Sequence, residues 1–356
     1  MLTAPRTDRI TRVAQIGTGY MGGGIAQSLA LAGNDVWLAD ADVDSTRRNH
    51  ERLLKEARVF EAHGLIDVGG AELIAARLHP AASIEEAVAD VDFVEEAVFE
   101  DVEVKLAVLR RVAAAAAPGT IIGTNTSTIP VRVLAAALED ASLFLTVHFS
   151  NPAPFIPGVE LVVGEATNPA VLPIIEELLA RAGRKSAQVA DVPGFVLNRL
   201  QFVLLKEAIS LVEEGVATAR DVDTVVSTTF GFRLPFFGPF AIADMAGLDV
   251  YVKGFRILED HFGERLSAPR SLLELVADGK YGAKTGSGFL ELEPDQLAAL
   301  LAYRDKAYRA MGQLIAELGP SPLAGQTTTT GGADSDDLAG EPLGSARARL
   351  IDEDET

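Results

Sequence analysis

Cysteine is absent from the chain, which excludes a disulfide framework, thiolate metal ligands and a cysteine nucleophile, and fits a reducing compartment. Positive charge is scarce: 31 Lys and Arg stand against 51 Asp and Glu, a formal net charge of −20. So acidic a surface, with no basic patch, argues against nucleic acid or an anionic membrane as partner. No run of about 18 apolar residues is present to span a membrane. The segment Met1 to Arg9 lacks the apolar core of a signal peptide. The expected location is the cytoplasm, and no metal is expected.

Apolar residues are plentiful, at 48% of 356, enough for two domains with real cores. Early in the chain, Val13-Ala14-Gln15-Ile16 runs into Gly17-Thr18-Gly19-Tyr20-Met21-Gly22-Gly23-Gly24-Ile25-Ala26. This is an apolar strand, a glycine-rich turn and a helix start. The glycine spacing suits a dinucleotide: Gly17 allows a tight turn, Gly19 lets backbone N–H groups approach a pyrophosphate, and Gly22 lets the helix lie close to the strand. The helix N-terminus adds positive potential. Asp40 closes the next strand, Asn34 to Asp40, where a carboxylate can accept both adenosine ribose hydroxyls and repel a 2′-phosphate. The expected cofactor is NAD rather than NADP; the alternative is a tight strand-to-helix turn that holds no ligand.

Beyond Asp40, helical patterns over roughly 45–64 and 71–77 interrupt the rhythm. It resumes with apolar segments at Phe93-Val94, 120–123, 144–147 and 159–163, separated by helical stretches such as 102–117. Alternation of this kind predicts a mainly parallel, doubly wound α/β sheet of Rossmann type. Its domain is expected to cover 1–191. From Pro193 the pattern turns to successive helices, predicting an all-helical substrate and dimerisation domain over 192–293. A further helix is expected over 294–319, and a disordered acidic tail over 320–356. The apolar helical surfaces suit a homodimer.

A nicotinamide cofactor needs a partner base that takes a proton as hydride departs. His148 ends the strand 143–147, and strand C-termini are where ligands bind in open α/β sheets. Glu160 follows within Val159-Glu160-Leu161-Val162-Val163, where an unpaired carboxylate is costly. Together they form a candidate base fixed in one tautomer. Taken alone, a single histidine is more often structural. The other four, His50, His63, His79 and His261, fall on surface helices, loops or turns.

Six motifs in order give the chain a specific resemblance: residues 17–26, Glu96-Ala97-Val98-Phe99-Glu100, Asn125-Thr126-Ser127-Thr128, His148-Phe149-Ser150-Asn151-Pro152, Pro193-Gly194-Phe195-Val196-Leu197-Asn198-Arg199 and Lys284-Thr285-Gly286-Ser287-Gly288-Phe289. From about Arg12 to Phe289 the sequence resembles the L-3-hydroxyacyl-CoA dehydrogenase superfamily, with its lambda-crystallin/L-gulonate and carnitine dehydrogenase branches. The resemblance implies that His148 takes the C3 hydroxyl proton and that Glu160 orients it. Ser127 would hydrogen-bond the substrate oxygen and Asn198 would help polarise the carbonyl being made. Gly17, Gly19, Tyr20, Met21, Gly22, Asp40, Glu100, Lys105, Asn151 and Lys284 would meet NAD, the last four among them near its nicotinamide half. The residues alone allow other readings. Ser127 suits a helix N-cap ahead of Pro130, Asn198 a buried amide joining two domains, and Lys105 a solvated helix position.

Some features depart from the acyl-CoA pattern. Glu56 and His63 stand roughly where acyl-CoA enzymes present Ser and Lys to CoA. The stretch Thr229 to Pro239 resembles the branch acting on small carboxylates, which has an Arg at the place of Arg233. The segment Phe240 to Asp249 is closer to the acyl-CoA branch. The leading expectation is NAD-dependent oxidation of an L-3-hydroxyacyl-CoA. The alternative is a free 3-hydroxy acid with Arg233 as carboxylate clamp, against which Arg233 reads as an exposed loop charge. A third class is an NAD-binding structural or sensory protein, which the joint presence of Ser127, His148, Glu160 and Asn198 disfavours.

Overall fold

The computed structural model describes residues 3–323; the expected tail beyond Leu323 lies outside the described residues. The first unit extends to Val203. Its elements are β1 (Arg12–Ile16), α1 (Tyr20–Leu31), β2 (Asp35–Ala39), α2 (Val43–Ala62), α3 (Gly70–Arg77), β3 (Leu78–Pro80), α4 (Ile84–Val88), β4 (Phe93–Glu96), α5 (Val102–Ala115), β5 (Ile121–Thr124), α6 (Val131–Leu134), β6 (Phe144–Phe149), β7 (Gly158–Val163), α7 (Val171–Arg181) and β8 (Lys185–Ala190).

The strands form one eight-stranded sheet in the order β3-β2-β1-β4-β5-β6-β7-β8. Every neighbouring pair is parallel except β6 and β7. This is the expected doubly wound α/β class. Side chains alternate across each strand, so Val13, Leu38, Phe93 and Leu145 bury one face beneath α1, α2 and α7. Ala14, Ile16, Val94 and Phe144 bury the other beneath α4, α5 and α6. Strands covered on both sides read as continuous apolar runs, which is why β1, β5 and β6 are visible in the sequence.

Two strands escape that reading for physical reasons. β3 is three residues long, and β8 at the sheet edge alternates Lys, Ser, Ala, Gln, Val and Ala with little buried. The antiparallel turn of the chain between β6 and β7 also differs from a uniformly parallel pattern. Only a short loop joins them, and parallel neighbours need a crossover of a dozen residues or more.

The sheet order reverses at β1, and the crevice there is built by glycine. Gly17 has φ +84°, and a Cβ on it would press into the Ala97 carbonyl. A Cβ on Gly22 would overlap the Gly17 carbonyl oxygen, whereas one on Gly19 would meet nothing. The turn therefore leaves open space in front of the first turn of α1.

α8 (Leu197–Glu213) carries the division between the units within it. In the second unit follow α9 (Ala219–Thr228), α10 (Phe230–Arg233), α11 (Pro239–Ala246), α12 (Leu248–Phe262), α13 (Arg270–Ala277) and α14 (Pro294–Leu318), with no strand after β8 among the described residues. Leu248, Val252 and Leu272 centre a small core. Buried Asp244 accepts the N–H groups of Phe289 (3.1 Å) and Leu290 (2.7 Å). Tyr303 and Tyr308 of α14 meet Phe232, Phe236 and Phe237 edge-on or tilted, which gives the extra helix an aromatic seat.

Candidate active site

A cleft of about 570 Å³ opens in the first unit at the C-terminal ends of β1, β2, β4 and β5. Gly17, Gly19, Tyr20 and Met21 line one side, Asp40 and Asn49 one end, and Glu100, Asn125 and Ser127 the other. These residues fit a dinucleotide: a glycine cradle in the middle, a carboxylate at one end and a polar cluster at the other. Asp40 is held by its own neighbours. Its Oδ2 accepts from Thr18 N (2.9 Å), Thr18 Oγ1 (2.6 Å) and Asn49 Nδ2 (3.1 Å), and its Oδ1 from Ala41 N (2.8 Å). Burial opposes its ionisation, but these donors outweigh it and hold the carboxyl below its usual range.

Behind the other end stands a buried ion cluster. Lys105 on α5 has no exposed surface, which overturns its reading as a solvated helix residue. Its Nζ lies 2.9 Å from Glu96 Oε1, 3.2 Å from the Asn125 carbonyl oxygen and 3.8 Å from Glu100 Oε2. Glu96 also accepts from Val98 N (2.7 Å) and Thr124 Oγ1 (2.6 Å), so every buried charge there is paired and hydrogen-bonded. Glu100 Oε1 collects Thr126 Oγ1 (2.6 Å), Ser127 N (2.9 Å), Thr128 N (3.0 Å) and Thr128 Oγ1 (3.1 Å). Burial raises its pKa, but the Thr126 hydroxyl, the Lys105 charge and the two N–H groups prevail and lower it. Glu100 thereby fixes the 126–128 turn.

That turn presents Ser127 Oγ 3.0 Å from His148 Nε2. Ser127 caps no helix, since α6 starts after Pro130. The antiparallel register of β6 and β7 sets His148 directly opposite Glu160, with Nδ1 2.8 Å from Glu160 Oε2. The other oxygen, Oε1, accepts the N–H groups of Val196 and Leu197, both at 2.9 Å. The chain reaches that position through Gly194 and Phe195, both with positive φ, and buried Phe195 sets its ring 5.7 Å from the imidazole. Burial raises the Glu160 pKa, but the His148 bond and the two N–H donors outweigh it and lower the pKa. Asn198 Nδ2 donates to the Ser127 carbonyl oxygen at 2.9 Å, so this amide ties α8 to the 126–128 turn inside the first unit.

Among the anticipated residues, Ser127, His148, Glu160, Asn198 and Glu100 thus form one connected group beside the glycine turn, with Lys105 behind Glu100 rather than on the cleft wall. Gly22 sits within α1, and Asn151 is exposed on the loop between β6 and β7. Lys284 belongs to the second unit, where its Nζ pairs with Asp249 Oδ1 at 2.6 Å. Arg233, also in the second unit, has a buried Nε with no hydrogen-bond partner among the described residues. Of the two doubtful CoA positions, Glu56 pairs with Arg52 (2.7 Å) and His63 is exposed at the end of α2. Sequence reasoning assigned no role to Glu96 or Asn125, although both stood in quoted motifs. The signal for Glu96 was the one used for Glu160, a carboxylate in an apolar strand. Asn125 Oδ1 holds Phe149 N at 2.8 Å, a contact across strands that spacing does not reveal.

Residues 12–192 match the family model for the 3-hydroxyacyl-CoA dehydrogenase NAD-binding domain, and residues 194–292 match that for the 3-hydroxyacyl-CoA dehydrogenase C-terminal domain. The chain is 34% identical to 5-formyl-3-hydroxy-2-methylpyridine 4-carboxylate 5-dehydrogenase of Mesorhizobium japonicum over 86% of this chain and 98% of that one. It is 33% identical to a probable 3-hydroxybutyryl-CoA dehydrogenase of Deinococcus radiodurans over 77% and 97%. Among solved structures, a 3-hydroxyacyl-CoA dehydrogenase from Archaeoglobus fulgidus superposes with a TM-score of 0.70 at 32% identity, covering 85% of this chain and 99% of that one.

Removing the Lys105 charge leaves Glu96 buried without its counter-ion. Lys105→Met is expected to cost about 3–5 kcal/mol of stability, read as a lower urea midpoint at unchanged slope. A loss below about 1 kcal/mol would mean that the cluster is not held by this ion pair.

Proposed function

The chain belongs to the 3-hydroxyacyl-CoA dehydrogenase family, and on that premise we propose that it oxidises the C3 hydroxyl of an L-3-hydroxyacyl-CoA to the 3-oxo product, reversibly. The observation that carries the reading is the buried His148–Glu160 pair with Ser127 Oγ on the free side of the imidazole. With Nδ1–H donated to Glu160, Nε2 is left as the proton acceptor. Ser127 holds the substrate oxygen beside Nε2, and His148 takes its proton. Glu160 then faces an imidazolium across 2.8 Å and stabilises the charge as it forms. Asn198 steadies Ser127 from behind and lends its amide to the carbonyl oxygen. NAD bound in the cleft supplies the acceptor for the C3 hydride. The glycine turn, Tyr20, Met21 and Asp40 would hold its adenosine and pyrophosphate parts. By the resemblance, Glu100, Asn151 and Lys284 would meet the nicotinamide side, and Lys105 lies behind Glu100. The CoA reading also draws on exposed Lys55 and Arg58 of α2, cations suited to phosphate in a strongly acidic chain.

A second reading, a free hydroxy acid as substrate, is favoured by the buried Nε of Arg233, which has no hydrogen-bond partner among the described residues, and by the likeness to an enzyme named for a pyridine carboxylate. A guanidinium grips a carboxylate with paired bonds; a thioester offers no such charge near C3.

His148→Gln is expected to lower kcat by about 10²–10⁴-fold with NAD affinity nearly unchanged. Retention of more than about a tenth of the activity would require another base. The substrate readings separate in a panel of hydroxyacyl-CoAs and free hydroxy acids followed by NADH absorbance. With acyl-CoA as substrate, Arg233→Met is expected to change kcat/KM only a few-fold. A cost of about 2–5 kcal/mol in kcat/KM, together with rapid turnover of free acids, would establish the second reading.

A further inference from the structure

Glu95 has no part in the arrangement above, although it adjoins Glu96. Alternation along β4 turns Glu96 towards Lys105 and turns Glu95 to the opposite face, with Phe93. Glu95 is fully buried, and neither carboxyl oxygen has a hydrogen-bond partner among the described residues. In register beside it on β1 stands Gln15, also fully buried and on the same face as Val13. The Gln15 Nε2 donates to the Gly17 carbonyl oxygen at 3.2 Å, while its Oε1 has no donor among the described residues. In register on the other side is Gly123. A Cβ there would collide with Glu95 Oε2 and the Phe93 ring, so the missing side chain is what gives this carboxyl its space.

Two neighbouring groups thus each present acceptors with no donor, a costly arrangement in a dry interior. One proton repairs both. An O–H on Glu95 satisfies the acid and supplies the donor that Gln15 Oε1 lacks, which fixes the amide plane and aims Nε2 at Gly17. We propose that Glu95 is carried as a neutral carboxylic acid hydrogen-bonded to Gln15, and that this pair positions the Gly17 turn of the cofactor cleft. Burial, and after it the charge of Glu96, pushes the Glu95 pKa well above the usual carboxylate range against the opposing pull of Lys105. Glu95 acts through Gln15 as a positioning residue and touches neither substrate nor cofactor. The inference rests on NAD binding at the glycine turn and is independent of the substrate and of the base.

The test joins infrared spectroscopy to NAD titration, neither of which needs turnover. At neutral pH the wild-type minus Glu95→Gln difference spectrum is expected to show the carbonyl band of a protonated carboxyl group. Glu95→Gln, which keeps a donor, is expected to hold NAD affinity within about two-fold. Glu95→Val and Gln15→Val are each expected to weaken NAD about five-fold, and the double variant no further, because the two act as a unit. Absence of the protonated-acid band would overturn the proposal, as would single-variant losses that multiply in the double variant. If Glu95→Val does not fold, the Glu95→Gln spectrum and the Gln15→Val titration decide: a missing band, or unchanged NAD affinity in Gln15→Val, overturns it.

Discussion

One carboxylate ties the His148 imidazole to the chain that leaves the sheet. Glu160 faces His148 because β7 runs against β6, the single antiparallel pairing of the sheet, and its second oxygen holds the backbone as α8 begins. Were β7 parallel to β6, its entry point and register would change and the pair would be lost. The carboxyl bears the cost of burial because three donors favour its charged form. Its folded-state pKa lies below the unfolded one, so the contact adds stability at neutral pH and above. That contribution is withdrawn as pH falls through the folded-state value.

The same logic recurs at Glu96, Glu100 and Lys105. In an acidic chain, negative side chains near the cleft are tolerated because each has an assigned donor. Glu100 is spent on the 126–128 turn and on Lys105, and the turn delivers Ser127 to the imidazole. The acidic groups therefore act as anchors for backbone N–H groups and hydroxyls, and the cleft keeps its shape through them. Glu95 lacks such donors, and Gly123 gives it space instead.

Much of this was legible in the sequence because it follows from period and glycine spacing. β1, the turn at Gly17 to Gly22, Asp40 and the helices α2, α5 and α14 come from continuous apolar runs and 3.6-residue periodicity. The pairing of His148 with Glu160 was readable because a carboxylate in an apolar strand demands a partner. What stayed hidden depends on tertiary pairing. β8 is an edge strand with little to bury, Phe195 takes a positive φ that no residue type announces, and Lys105 looks like any lysine on an amphipathic helix until Glu96 is placed beside it. Ser127 resembled a helix cap because the adjacent Pro130 does open a helix; its hydroxyl goes instead to His148.

The central claim is that Glu160 fixes the tautomer of His148 so that Nε2 accepts the substrate proton. Nitrogen-15 NMR of histidine-labelled enzyme in its NAD complex, with His148→Gln used to assign the signal, reads that tautomer directly. At neutral pH the account requires the proton on Nδ1 and an unprotonated Nε2, with the Nδ1–H signature lost in Glu160→Gln. A resting state with the proton on Nε2 alone, or a tautomer unaffected by Glu160→Gln, would contradict it.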